Sequence, residues 1–306
     1  MIMPNFLVIG TAKAGTTSLF SYLKAHPEIF MSSVKEPRFF GFVEKQPNFQ
    51  GIGDTKVNQA LITNIKEYEQ LFEKVAHEKA IGEASTWYLY SEEAPFEIKK
   101  YIPNAKLIAV LRNPVDRAYS NYLHQRNRSC EEPLDNFLKA LQEEEKRIQN
   151  NWRPFWHYKN MGFYYIQLSR YFQLFPSKQI RIYLQEDLIQ NPINTMQDIF
   201  DFLEVDKNFS PNFSRKFNQA YRPKNRVLQN LIMRPNFFKS ALKSTMPRPI
   251  IQNLGTQIRT FNREINSAPS NNKLPQETRK NLIEEYREDI LNLQDLIQRD
   301  LSNWLI

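Results

Sequence analysis

Apolar residues follow two rhythms along the first two thirds of the chain, and the two rhythms alternate. Residues 5–9 form a short apolar run closed by Gly10, and residues 16–25 follow at helical spacing until His26-Pro27 stops them. Residues 79–83 and 106–111 read as further buried strands, the second followed by Asn113-Pro114 and a helical stretch from 115 to about 125. Strand, turn and helix therefore occur twice. Residues 162–175 carry apolar positions at helical spacing, Pro176 breaks the run, and a strand over 179–184 leads to a helix over 192–203. Residues 274–305 read as one long amphipathic helix whose apolar face packs on the rest. This alternation predicts an α/β fold in three layers, a central and mainly parallel sheet flanked by helices, with ligands held beyond the carboxyl ends of the strands. Both strand-to-helix turns should then line one cleft.

Composition narrows the picture. A chain of 306 residues, 41% hydrophobic and 13% aromatic, can bury a sizeable core as a single domain over 1–306. Within it, residues 215–272 turn basic and irregular, with Pro223, Pro235, Pro247 and Pro249, and read as a mobile segment facing a cofactor or acceptor. No stretch approaches the roughly 20 apolar residues of a membrane span, and the N-terminus has no signal core, so the expected setting is the cytoplasm. Cys130 is the only cysteine, which excludes an intrachain disulfide and a cysteine-built zinc site. The net charge of +8 favours anionic partners, whether nucleic acid, a membrane surface, or small phosphate and sulfate compounds.

The first turn decides among these. Gly10-Thr-Ala-Lys13-Ala14-Gly15-Thr16-Thr17-Ser18 sets two glycines and four hydroxyls between a strand and a helix N-terminus, where free N–H groups and the helix dipole attract phosphate. Lys13 adds a full charge inside the turn. The pattern is P-loop-like without being a P-loop, because G-x-x-x-x-G-K-[ST] needs lysine where this chain has Thr16. An ordinary capped turn is the plain alternative. In the second turn, Arg112 stands at a strand end, where it can fork onto a phosphate, and Ser120 projects from the following helix towards the same place. A Walker-B strand would end in an acidic residue to hold magnesium, whereas Ile108-Ala-Val-Leu111 ends in Arg112.

These residues resemble the family of sulfotransferases that use 3′-phosphoadenosine 5′-phosphosulfate (PAPS). The family's K-x-G-T-T loop for the 5′-phosphosulfate is matched by Lys13-Ala14-Gly15-Thr16-Thr17, with Ser18 next to it, and Arg112 with Ser120 match its 3′-phosphate ligands. Lys35-Glu36-Pro-Arg38-Phe-Phe40 resembles the K-E-P-x-F-F segment of the carbohydrate-type members. The resemblance implies Glu36 as catalytic base, with Arg38 beside it as an acceptor contact. Gly82-Glu83-Ala-Ser-Thr-Trp-Tyr88 is similar to a segment at a strand end facing acceptor and cofactor; Glu83 is then an acid, a substrate ligand or a buried ion-pair partner. In the family's glycan 3-O-sulfotransferases a lysine follows that glutamate, and here Ala84 does. Ser120-Asn-Tyr-Leu-His124-Gln125 parallels the S-x-Y-x-H-Q of glycan N-sulfotransferases, which makes His124 a candidate for acid–base work or acceptor binding, or else a structural hydrogen-bonding group. Arg222, Lys224 and Arg226 fall where family members carry a basic loop that closes over the nucleotide.

The resemblance, closest in motif style to glycan N- and O-sulfotransferases and their bacterial relatives, implies sulfuryl transfer from PAPS to a hydroxyl or amine. The product is adenosine 3′,5′-bisphosphate (PAP), and no metal is required. The expected acceptor is a glycan, a glycolipid or another small molecule, and nucleic acid is not an expected partner. Two rivals stay open: a P-loop nucleotide kinase or NTPase, and a basic protein that binds a membrane or nucleic acid. Residues 230–250, with Phe237-Phe238-Lys239, could lie on an anionic membrane in either case.

Overall fold

The computed structural model of this chain describes residues 2–213, 225 and 274–306, and the backbone of 221–223 and 267–269. In chain order, β1 (Phe6–Gly10), α1 (Thr16–Lys24), β2 (Ile29–Met31), α2 (Asp54–Ala60), α3 (Ile65–Gln70), β3 (Ala80–Ala84), α4 (Ala94–Tyr101) and β4 (Lys106–Leu111) come first. Then follow α5 (Pro114–Leu123), α6 (Phe137–Gln142), α7 (Glu144–Gln149), α8 (Tyr164–Leu174), β5 (Ile180–Leu184), α9 (Gln185–Gln190) and α10 (Pro192–Phe202). A short antiparallel pair, β6 (Tyr221–Pro223) with β7 (Ser267–Pro269), precedes α11 (Gln276–Ile297).

Five strands make one parallel sheet in the order β2-β3-β1-β4-β5. Successive strand residues point to opposite faces, so the apolar runs feed two cores at once. Leu7, Ile9, Leu107, Ala109 and Leu111 pack on one face with Ile98 of α4, Ala118 of α5, Leu168 of α8 and Leu282 of α11. Phe6, Val8, Ile108 and Val110 pack on the other with Leu19 and Leu23 of α1 and Met196 and Ile199 of α10. The three layers match the alternation of the sequence. The central pair β1 and β4 sends α1 to one face and α5 to the other, so a crevice opens beyond their carboxyl ends, the place where open parallel sheets bind ligands.

Three elements differ from the sequence reading. The helix that begins at Pro114 stops as an α-helix at Leu123 and continues as a π-helix over His124–Ser129. Its start is fixed by Asn113, whose side chain accepts from the N–H groups of Val115 at 3.0 Å and Asp116 at 3.2 Å, with Pro114 in the first turn. The terminal helix ends at Ile297 rather than near Leu305, because Gln298 is left-handed at φ 52°. That break lets Leu301 and Trp304 turn back into the core. The three-residue strand Ile29–Met31 was too short to register as a pattern. Among the described residues, no helix is long and apolar enough to cross a membrane.

The sheet is tightest where β3 meets β1: Gly82 lies opposite Phe6 in the register, and a Cβ at position 82 would run into the Phe6 ring. Gly82→Ala is therefore expected to destabilise the fold by about 1–3 kcal/mol, the usual effect of overpacking. Urea denaturation measures this, and an unchanged midpoint would contradict the contact.

Candidate active site

The loop after β1 folds over on two left-handed residues. Lys13 has φ 73° and Gly15 φ 97°; glycine takes that conformation freely, whereas lysine is strained there. The turn places Lys13 in a cavity of about 430 Å³ at the start of α1. Thr16, Thr17 and Ser18 of the first turn line the same cavity; Ser18 N–H donates to the Gly15 carbonyl at 2.9 Å, which leaves the N–H groups of Thr16 and Thr17 as those without an intrahelical acceptor. Ala14 faces the other way, fully buried in the core below.

Arg112 enters from the end of β4. Its Nη1 donates to the Lys13 carbonyl at 3.1 Å, and its own carbonyl accepts from the Tyr164 hydroxyl at 2.9 Å, so the two strand-end turns are bound to each other and to α8. Ser120 on α5 and His124 at the start of the π-helix both line the cavity, so the four-residue spacing keeps them on one side.

Glu36 comes from the loop after β2. It is left-handed at φ 63°, as is Arg38 at φ 59°, and Pro37 lies between them. Phe39 and Phe40 fasten this segment: both are fully buried, Phe39 stacks on Tyr68 with ring centroids 4.4 Å apart, and Phe40 N–H donates to the Tyr88 hydroxyl. The Glu36 carboxylate accepts from Thr86 N–H at 3.0 Å and from Thr86 Oγ1 at 3.0 Å, with Arg38 Nε at 3.5 Å. Lys35 Nζ donates to Thr17 Oγ1 at 2.9 Å, which ties the Glu36 segment to the phosphate-type loop. A carboxylate fixed in this way at the cavity edge can accept a proton from a group attacking within the cavity.

Glu83 requires a correction. It is fully buried in β3 and lines neither this cavity nor the larger one beside it, where an acceptor ligand was expected. Tyr68 and Ser85 hydroxyls donate to its carboxyl group, and burial raises its pKa to about 8. Ser85 Oγ in turn accepts from Arg38 N–H at 2.9 Å, so Glu83 supports the Glu36 segment from behind. Arg222 belongs to β6, opposite Ala268 in β7. Lys224, Arg226 and residues 230–250 lie outside the described residues. The sequence reading left out several cavity residues: Lys35 and Thr86 inside motifs it quoted, Arg128 from the π-helix, Phe155, and Gln185 at the end of β5.

Four cations, Lys13, Lys35, Arg112 and Arg128, line this small cavity with one carboxylate, Glu36. Burial, reinforced by Arg128, Arg112 and Lys35, lowers the Lys13 pKa to about 7. Burial, with Lys13 and Arg128 next, pushes His124 down to about 3, so its imidazole is neutral at neutral pH. Burial likewise lowers Arg112 and Lys35. A dianion bound among these four cations would favour the charged form of Lys13. Below pH 7 Lys13 already carries its proton, and sulfate binds without proton uptake by this group. Above pH 7 binding must bring the proton in, so sulfate affinity should fall with rising pH, approaching about tenfold per unit. Calorimetry in buffers of different ionisation heat reads both effects. Lys13→Met should remove the dependence, and an affinity in the parent chain that stays flat to about pH 9 would contradict this account.

Comparison with known proteins agrees with this geometry. The model of the sulfotransferase domain matches residues 3–230. A sulfotransferase from Alicyclobacillus acidocaldarius is 31% identical and superposes with a TM-score of 0.75 over 99% of both chains. The mouse bifunctional heparan sulfate N-deacetylase/N-sulfotransferase 4 is 31% identical over 220 residues, 68% of this chain and 23% of that protein. Human carbohydrate sulfotransferase 15 is 28% identical over 256 residues, 66% of this chain and 44% of that protein. The chain thus spans between about a quarter and under half of the curated relatives it matches. With a family match over most of its length, and the matched motifs meeting in one cleft, this chain belongs to the sulfotransferase family.

Proposed function

We propose that this chain transfers the sulfuryl group of PAPS to a hydroxyl or amine of a carbohydrate acceptor. The observation that carries the reading is the cation-rich crevice at the ends of β1 and β4 with a fixed carboxylate on its rim. A nucleotide with phosphates at both ends needs cations at two places, and Lys13 and Arg112 supply them from two strand-end turns. The relatives named for carbohydrate and heparan sulfate sulfation support a glycan as acceptor.

In the reaction the acceptor oxygen or nitrogen forms a bond to sulfur while the bond from sulfur to the bridging phosphate oxygen breaks. PAP leaves with the added negative charge. Lys13 and the N–H groups opening α1 face that charge, where fixed donors in a partly dry cleft act most strongly. Glu36 takes the proton of the attacking group, and Thr86 with Arg38 holds the carboxylate in place for it. Arg112 and Ser120 hold the far phosphate, which ATP lacks. His124, neutral at the cavity wall, is available to hydrogen-bond the acceptor.

Transfer of labelled sulfate from PAPS to a mixture of glycans tests the reading. Lys13→Ala should lower kcat by about 10²–10³-fold, the range for loss of one transition-state donor. Glu36→Gln should lower kcat by about 10²–10⁴-fold with PAP affinity unchanged. Arg112→Ala should act mainly by weakening PAP binding. Near-native turnover in Lys13→Ala would overturn the assignment.

A further inference from the structure

A second, larger cavity of about 670 Å³ lies against the first. The two share walls at three points: Glu36 faces one and Arg38 the other, Thr86 one and Trp87 the other, Phe155 one and Pro154 the other. Their linings differ in kind. The smaller cavity carries a surplus of cations. Each cation of the larger one stands beside a carboxylate: Lys45 with Glu93 at 2.5 Å, Arg170 with Glu92 at 3.1 Å, and Arg38 with Glu36 at 3.5 Å.

The rest of the lining is aromatic and carboxamide. Phe42, Phe49 and Trp87 meet edge to face with centroids 5.8–6.3 Å apart. Gln46, Asn48, Asn151, Asn160 and Gln167 surround them. Gln167 is 3% exposed, and its Oε1 has no hydrogen-bond partner. Carboxamides both donate and accept, which suits hydroxyl groups, and aromatic rings offer flat apolar faces to the C–H side of a sugar ring. The volume falls in the range of about 300–1,000 Å³ that holds small ligands.

We propose that this cavity is the acceptor site and that it takes an uncharged glycan, with sugar rings against Phe42 and Phe49, which Trp87 backs from beneath with Arg38 over its ring, and the nucleophile reaching Glu36 past Arg38. The proposal rests on the sulfuryl-transfer reading and narrows it. A polyanionic glycan is disfavoured by Glu92 and Glu93. They already pair with Lys45 and Arg170, as Glu36 does with Arg38, so the wall offers a uronate or sulfate group no cation without a competing carboxylate, and binding one there would displace a pair for little gain.

The test uses the full chain saturated with PAP, titrated calorimetrically with neutral gluco-, manno- and galacto-configured tetrasaccharides and with an unsulfated uronate-containing heparosan tetrasaccharide. At least one neutral sugar should bind about tenfold or more tighter than the uronate. Phe49→Ala should weaken the neutral sugar, and the double change Glu92→Lys with Glu93→Lys should shift preference towards the uronate. If the chain binds PAP yet prefers the uronate, or binds none of these sugars, the acceptor proposal falls while sulfuryl transfer stands. If it does not bind PAP, both fall.

Discussion

Burial of a lysine among other cations, in the crevice where two parallel strands end, is the constraint around which this site is arranged. Lys13, buried in a left-handed turn, sits with Arg112, Arg128 and Lys35 against a single carboxylate. A fall in the lysine pKa from 10.5 to about 7 corresponds to something on the order of 5 kcal/mol against the charged form. The folded chain tolerates this because the loop is held on several sides. Arg112 grips the Lys13 carbonyl, Tyr164 grips Arg112, and Lys35 reaches Thr17. A bound dianion would relieve the repulsion, so in the proposed reaction the same charges serve affinity and, as charge builds on the leaving phosphate, catalysis.

The Glu36 carboxylate depends on a different kind of support. Glu36 lies in a segment with two left-handed non-glycine residues, and the segment stays in place through buried aromatics and through Glu83, whose contact with Ser85 positions the Arg38 backbone. The wall opposite is anchored by Asp54, a fully buried carboxylate that accepts from Gly51 N–H, Arg153 N–H and Trp156 Nε1 and pairs with the Arg153 guanidinium. Removing one partner of such a buried pair leaves an unmatched charge, so this network fixes residues 153–156 and with them Pro154 and Phe155 between the two cavities.

Much of this was legible in the sequence, for physical reasons that differ by residue. Alternating apolar runs reveal a parallel sheet because both of its faces are covered, and Gly15, Lys13 and the hydroxyls after them reveal an anion site because strand, turn and helix are contiguous. Arg112, Ser120 and His124 were readable for the same local reason. Glu83 was not, since a carboxyl group at a strand end looks alike whether it faces a cleft or a core. Its burial follows from Tyr68, Tyr88 and Phe40 arriving from other elements. The aromatic triad of the larger cavity joins residues from two loops about 40 positions apart, and Asp54 meets Arg153 across 99 positions. No local pattern encodes such meetings. The turn into a π-helix at His124 and the stop at Gln298 also carry no sequence period of their own.

In the proposed function, two cationic turns form one receptor for a nucleotide carrying phosphate at both ends. Calorimetric titration of the chain with PAP, beside ATP with magnesium, tests it most directly. The account predicts that PAP binds tighter by at least about 100-fold, a difference of roughly 2.7 kcal/mol in favour of the extra phosphate at Arg112. Equal affinities, or tighter binding of ATP with magnesium, would contradict it.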